Sequence, residues 1–250
     1  MSLLAGKTSI VTGGTKNLGA TSAKELAKAG SNLFLHYRSD PETADKFKAE
    51  LLKEFPGIRV ETYQAKLDRA EDLTKLFEAA KKAFPEGIDI AVNFVGKVVK
   101  KPITEVTEAE FDAMDIANNK SAFFFIKEAG LNLKDNGRIV SIVTSLLPAY
   151  TEYYGLYQGT KGAVEYYTKA ASKELHSRGI TVNNVGPGPA SSSFLFNSET
   201  KESIEFFKTV GLHNRLTLDT DIAPIVRFLV TEGGWITGQT IYASGGFTAR

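Results

Sequence analysis

Tyr157 and Lys161 stand four residues apart in Tyr157-Gln158-Gly159-Thr160-Lys161. On a helix that spacing puts both side chains on one face, one turn apart. The residues after Tyr157 support a helix, because Ala163, Val164, Tyr167, Ala170, Ala171 and Leu175 recur at three and four. An ammonium beside a phenol favours the phenolate and lowers a pKa that is ordinarily about 10. A phenol tuned in this way donates and accepts a proton at a substrate oxygen near neutral pH. An upstream hydroxyl, Thr144 or Ser145, is available to hydrogen-bond the same oxygen. In a chain with nine tyrosines, one such pair is expected by chance, so the elements around it decide its meaning.

Composition narrows the chemistry. Across 250 residues, 42% are apolar and 24% charged, which suits a folded chain with a substantial core. The formal net charge of +1 with mixed signs points to no polyanion partner, so neither nucleic acid nor a basic stripe for it is expected. Cysteine is absent, which removes disulfides, thiol nucleophiles and cysteine-based zinc sites. The histidines, His36, His176 and His213, lie too far apart in sequence for metal-ligand spacing. No apolar run reaches membrane-span length, and the opening Met1 to Lys7 does not read as a signal peptide. The expected location is cytoplasmic.

The positioning elements alternate strand and helix. Thr8–Val11 reads as a strand that runs into Thr12-Gly13-Gly14-Thr15-Lys16-Asn17-Leu18-Gly19 and then a helix. Strand, glycine turn and helix together form a cradle for a pyrophosphate: glycine allows close backbone approach, and the helix N-terminus supplies N–H donors. Asn17 stands where a glycine is anticipated, and Asn tolerates left-handed backbone better than most residues. The second strand, 32–37, ends in Tyr37-Arg38-Ser39, with no carboxylate before Asp40. A cation there suits a 2′-phosphate, where an acid would hold a ribose hydroxyl. With Lys16 as a second cation, NADP is favoured over NAD. Asp40-Pro41 reads as a helix cap and first turn.

Further strands are expected at 59–65, 88–95, 138–143, 180–185 and 239–243, with helices between them. Val106–Leu133 is expected to be mostly helical. Asn118 and Asn119 sit inside it, where asparagine is unfavourable, and this invites a functional reading. Residues 190–212 are polar with scattered aromatics and are expected to form a mobile substrate loop with short helices. The whole reads as one α/β domain spanning 1–250: a Rossmann-type, doubly wound parallel sheet of about seven strands with helices on both faces.

At this point the chain resembles the short-chain dehydrogenase/reductase family in its single-domain branch. The motifs that carry the resemblance are Thr12-Gly13…Gly19, Asn93-Phe94-Val95-Gly96, Asn118, the hydroxyl at Thr144 or Ser145, Tyr157…Lys161, Pro187-Gly188, and Ile236 to Thr240 with Gly245-Gly246. The resemblance implies that Tyr157 is the general acid in carbonyl reduction, and that Lys161 tunes it and binds the nicotinamide ribose. It implies that Asn118 holds a water linked to Lys161 and that the strand-end hydroxyl orients the substrate carbonyl. The cofactor would lie along Gly13, Thr15, Lys16, Asn17, Leu18, Gly19, Tyr37, Arg38, Ser39, Lys66, Leu67, Asn93, Val95, Gly96, Pro187 and Gly188. Lys66 departs from the family's usual aspartate near the adenine. The family's spacing, thirteen residues before Tyr157, lands on Thr144, while residue type favours Ser145.

The expected activity is NADPH-dependent reduction of a ketone or aldehyde. Tyr150, Tyr153, Tyr154 and Phe194 are candidates for an aromatic substrate wall. A 3-oxoacyl-carrier-protein reductase is the nearest alternative and would use a basic patch at Lys97, Lys100 and Lys101. A non-catalytic NADP-sensing protein is a third reading. By the resemblance, a homotetramer or homodimer would assemble through helices at 107–132 and 153–176.

Overall fold

The structure is a computed structural model that describes residues 2–248; Met1, Ala249 and Arg250 lie outside the described residues. In chain order the main elements are β1 (Thr8–Thr12), α1 (Asn17–Lys28), β2 (Asn32–Tyr37), α2 (Pro41–Glu54), β3 (Val60–Gln64), α3 (Ala70–Ala83), β4 (Ile88–Asn93), α4 (Glu108–Met114) and α5 (Ser121–Asn132). They continue with β5 (Leu133–Ile142), α6 (Leu146–Ala149), α7 (Gly155–Glu174), β6 (Thr181–Pro187), α8 (Ser193–Phe196), α9 (Lys201–Thr209), α10 (Asp219–Val230) and β7 (Thr240–Ala243). The strands form one seven-stranded sheet in the order β3-β2-β1-β4-β5-β6-β7, and every pairing is parallel.

Strand alternation divides the core. Successive residues of a strand face opposite sides, so Ile10 and Phe34 join one apolar cluster with α3, α5 and α7. Val11, Leu33 and Leu35 join the other, against α1, α2 and α10. β1 and β4 are buried along their whole length, as strands covered on both faces must be. The strand order reverses between β1 and β4, and in open α/β sheets ligands bind at such a switch, beyond the carboxyl ends of the strands.

One expectation is borne out with a local change and one needs correction. The stretch expected to be mostly helical, Val106–Leu133, is helical from Glu108 to Asn132 but widens at its centre. α4 and α5 are joined by a π-helical stretch, Asp115–Lys120, which carries Asn118 and Asn119. Wider turns of this kind recur at functional sites, and here the turn brings both asparagines to hydrogen-bond partners outside their own segment. Asn118 bonds Lys97 and Thr160. Asn119 accepts from the Tyr167 hydroxyl at 2.6 Å and donates to Asp115. The strand expected from Arg138 begins at Leu133, and Asn136 at φ 63° supplies the local turn within it. Its register against β4 shifts between Ile88 and Ile90. Among the described residues, no helix is long and apolar enough to cross a membrane.

Candidate active site

Four strand ends converge on one pocket of about 330 Å³. β1 delivers Gly13, Lys16, Asn17, Leu18 and Gly19. β4 delivers Phe94 and Gly96, β5 delivers Thr144 and Ser145, and β6 delivers Pro187 and Gly188; the N-terminal half of α7 adds Tyr157 and Lys161. The register explains the convergence. Thr12 pairs with Asn93, Asn93 with Ser141, and Ile142 with Val185, so the four strands end nearly level.

The glycine turn is tightly closed. A Cβ on Gly19 would lie 2.0 Å from the Gly13 carbonyl oxygen, so only glycine fits. Asn17 occupies left-handed backbone at φ 47°. Behind the turn, buried His36 ties β1 to its neighbours. Its Nδ1 accepts from the Gly13 N–H at 3.2 Å, and its Nε2 faces the Ala65 carbonyl at 3.0 Å. This geometry requires the neutral ring with the proton on Nε2, and burial holds its pKa down at about 4.

Tyr157 and Lys161 face the pocket one turn apart, both buried. Thr144 lies beside the Tyr157 phenol on the lining and favours the phenolate, but burial is the larger effect and pushes the phenol above its ordinary range. Lys161 Nζ donates to the Ile142 carbonyl at 2.8 Å and reaches that of Val95 at 3.4 Å. Burial brings the lysine down to about 8. Spacing placed the pair correctly, but it could not show that two backbone carbonyls engage the ammonium.

Asn118 does not line the pocket. It is fully buried behind it, where Oδ1 accepts from Lys97 N–H at 2.7 Å. Its Nδ2 donates to the Lys97 carbonyl at 2.8 Å and to Thr160 Oγ1 at 3.1 Å. It thereby clamps the segment after β4, where a Cβ on Gly96 would approach Lys161 Nζ to 3.1 Å. Asn93 is likewise a brace, since its Oδ1 accepts from the Thr12 hydroxyl and the Val95 N–H.

The remaining expected cofactor residues lie outside this pocket. Tyr37 ends β2, and Arg38 and Ser39 follow it, both exposed. Thr15 is buried, and Val95 turns its side chain to the core beside α3 and α5. Leu67 is buried in that same core, so its side chain is unavailable to a ligand, whereas Lys66 is exposed. Lys16, read as a free cation, is ion-paired with Asp40 at 2.5 Å. Asp40 also caps α2 through Thr43 N–H, and these contacts hold its carboxyl at about 2.

Of the expected aromatic wall, Tyr154 and Phe194 line the pocket, with rings 6.3 and 6.2 Å from that of Tyr157. Tyr150 and Tyr153 are 74% and 50% exposed and lie outside it. Both have left-handed backbone, at φ 53° and 66°, in the connection from α6 to α7. Residues not anticipated from the sequence include Phe207, Ser198 and Asp219 on the wall, and Glu199 just behind it. Lone side chains in a polar loop carry no pattern that marks them.

The expected basic patch is neutralised in part. Lys100 pairs with Glu199 at 2.6 Å and Lys101 with Glu110 at 3.1 Å. Among the described residues, no group of three His, Asp or Glu side chains is arranged to hold a metal ion.

Comparison with known proteins agrees with this geometry. A family model described as enoyl-(acyl carrier protein) reductase matches residues 13–248. An NADPH-dependent aldehyde reductase-like protein of Arabidopsis thaliana is 33% identical over 98% of this chain and 95% of its own. A short-chain type dehydrogenase/reductase of Picea abies is 30% identical over 97% and 93%. A Burkholderia cenocepacia protein, provisionally described as a dehydrogenase and solved with bound NADP, superposes with a TM-score of 0.95 at 45% identity, covering 100% of this chain and 96% of that one. With the sheet order, the glycine turn and the tyrosine–lysine pair all in place, the chain belongs to the short-chain dehydrogenase/reductase family.

Proposed function

We propose that this protein is an NADP(H)-dependent oxidoreductase that reduces the carbonyl of an aldehyde or ketone to an alcohol. The observation that carries the reading is that Thr144, Tyr157 and Lys161 line one pocket that continues to the glycine turn. The NADP bound by the Burkholderia protein and the NADPH dependence named for the Arabidopsis one support the cofactor.

The residues present fit a dinucleotide. Gly13, Asn17, Leu18 and Gly19 would hold the pyrophosphate at the α1 N-terminus. Lys16 and Arg38 would meet the 2′-phosphate, and Gly96, Lys161, Pro187 and Gly188 would face the nicotinamide end. When bound, NADPH supplies the hydride. Tyr157 supplies the proton to the carbonyl oxygen. Burial keeps the phenol protonated at neutral pH, the state that reduction requires. Thr144 donates to or accepts from that phenol and orients the same oxygen. Lys161, protonated below about 8, adds positive charge beneath the developing alkoxide. Asn118 acts indirectly, holding Lys97 and Thr160 so that the strand end and α7 keep their spacing.

Catalysis is favoured over cofactor sensing because both members of the tyrosine–lysine pair face the pocket. A carrier-protein substrate is disfavoured because Lys100 and Lys101 already have acidic partners. Exposed Phe111, Phe123, Leu131 and Tyr166 on α4, α5 and α7 support assembly of copies through those helices; light scattering at the mass of a monomer would contradict it. The function is tested by following NADPH and NADH consumption against a panel of aromatic and aliphatic aldehydes and ketones. Turnover with NADPH supports the reading, and cofactor binding without turnover across the panel would restore the sensor.

A further inference from the structure

The loop after β6 is fixed at both ends by the backbone. Ser191 N–H donates to Thr217 O at 2.8 Å, Thr217 N–H to Pro189 O at 2.9 Å, and Leu212 N–H to Gly245 O at 2.8 Å. Between those ends it crosses the pocket, carrying Phe194, Leu195 and Ser198 into the lining. Glu199 follows immediately, and its side chain is wholly removed from solvent. A buried carboxylate is costly unless it is paired and its oxygens are hydrogen-bonded. Both conditions hold here. Oε2 meets Lys100 Nζ at 2.6 Å, and Oε1 accepts from the Tyr154 hydroxyl. Lys100 also stands 5.7 Å from the centre of the Tyr154 ring.

These partners come from elsewhere in the fold. Lys100 belongs to the segment after β4, and Tyr154 is the residue before α7, packed with Met114, Val98, Val99, Leu146 and Tyr157. The carboxylate therefore joins the loop to the opposite wall of the same pocket.

Taking the reductase reading as its basis, we propose that Glu199 is the latch that holds this loop over the substrate pocket, and that the closed pocket selects uncharged carbonyl compounds bearing an aromatic or bulky apolar group. Two consequences of the latch make the selection. It fixes the Tyr154 ring beside Tyr157, whose other ring neighbour on the lining is Phe194, so a flat apolar group meets an aromatic wall. It also consumes the charge of Lys100, leaving a wall of Phe94, Val98, Leu146, Tyr154, Phe194 and Leu195.

Glu199 is a positioning residue, acting through Tyr154 and the loop. The test combines amide hydrogen exchange with kinetics for Glu199→Ala, Glu199→Gln and Tyr154→Phe. Glu199→Ala is expected to speed exchange across 191–210 at least tenfold. It should raise KM for an aromatic aldehyde by a similar factor, with kcat changed less and the Kd for NADPH within about twofold. Tyr154→Phe keeps the ring and the ion pair and loses one hydrogen bond, so its effect should be in the same direction and smaller. Glu199→Gln keeps an acceptor for Tyr154 and loses the ion pair, and should fall between the wild type and Glu199→Ala. Wild-type exchange in both Glu199→Gln and Tyr154→Phe would overturn the latch, even if Glu199→Ala fails to fold. Equal kcat/KM for benzaldehyde and for a carboxylate-bearing analogue would overturn the selection. A wild-type protein that reduces no carbonyl would refute the reductase reading, while the exchange experiment would still decide whether the latch exists.

Discussion

Lys161 Nζ lies 2.8 Å from the carbonyl oxygen of Ile142. The ammonium one turn from Tyr157 is thus held by the end of β5, the strand that also delivers Thr144. Burial lowers this lysine from 10.5 to about 8. Between those values the unfolded chain keeps a proton that the folded chain releases, so stability rises with pH across that window. Below about 8 the whole burial penalty remains, about 3 kcal/mol at 1.36 kcal/mol per unit.

Lys161→Met is therefore expected to separate activity from stability. Turnover should fall at least about a hundredfold. Thermal stability at pH 7 should be unchanged or higher, and its rise between pH 8 and 10 should flatten. Calorimetry showing a clear loss of Tm at pH 7 would contradict the assignment of a net burial penalty to this ammonium.

Thr144 and Ser145 both line the pocket at the end of β5, and the proposal gives the catalytic role to Thr144. Thr144 is the group that favours the Tyr157 phenolate, and its Oγ1 accepts from Leu146 N–H at 3.2 Å. Thr144→Ala should lower kcat by about ten- to a hundredfold, in the range of one lost oxyanion-side donor. Thr144→Ser and Ser145→Ala should stay within a few fold of the wild type. A larger loss in Ser145→Ala than in Thr144→Ala would reverse the assignment.

His36 makes acid stability a property of the cofactor turn. Its folded pKa of about 4 lies below the ordinary 6.5, so as pH falls from 6.5 the unfolded chain binds the proton first. Stability should decline from pH 6.5 down to about 4, by about 3 kcal/mol in full. His36→Asn, which keeps an acceptor for the Gly13 N–H, should flatten that decline with little change in NADPH affinity. An unchanged acid slope in chemical denaturation would show that His36 is not its source.

Asp40 competes for Lys16. The pair is exposed, so its strength is modest and falls with salt. Asp40→Asn keeps an N-cap for α2 while freeing the lysine. NADPH should bind about threefold tighter at low ionic strength, with NADH unaffected. Equal changes for both cofactors would remove Lys16 from 2′-phosphate recognition.

Much of this site could be read from the sequence, for local reasons. The Gly13–Gly19 turn, the Asp40–Pro41 helix start and the one-turn spacing of Tyr157 and Lys161 all depend on neighbours in the chain. The parallel sheet followed from alternating apolar strands and amphipathic helices. What was hidden depends on contacts between distant segments. Glu199 meets Lys100 across 99 positions, and Asn118 meets Lys97 and Thr160 across 21 and 42. Nothing local marks Tyr154 as buried while Tyr153 beside it is exposed. Tyr154 is buried by contacts with Met114, Tyr157 and Glu199, all distant or across a turn from its own segment. Spacing reports the proximity of Lys161 to Tyr157 but carries no information on burial, which is the largest influence on both groups.

The central claim is that Tyr157 gives the proton in carbonyl reduction. The most direct measurement is single-turnover NADPH oxidation by Tyr157→Phe and by the wild type, with cofactor affinity measured in parallel by fluorescence. The rate of the chemical step should fall by about a hundredfold or more, while the Kd for NADPH stays within about twofold. A variant that oxidises NADPH at the wild-type rate with the same carbonyl substrate would remove Tyr157 from the mechanism and the proposed function with it.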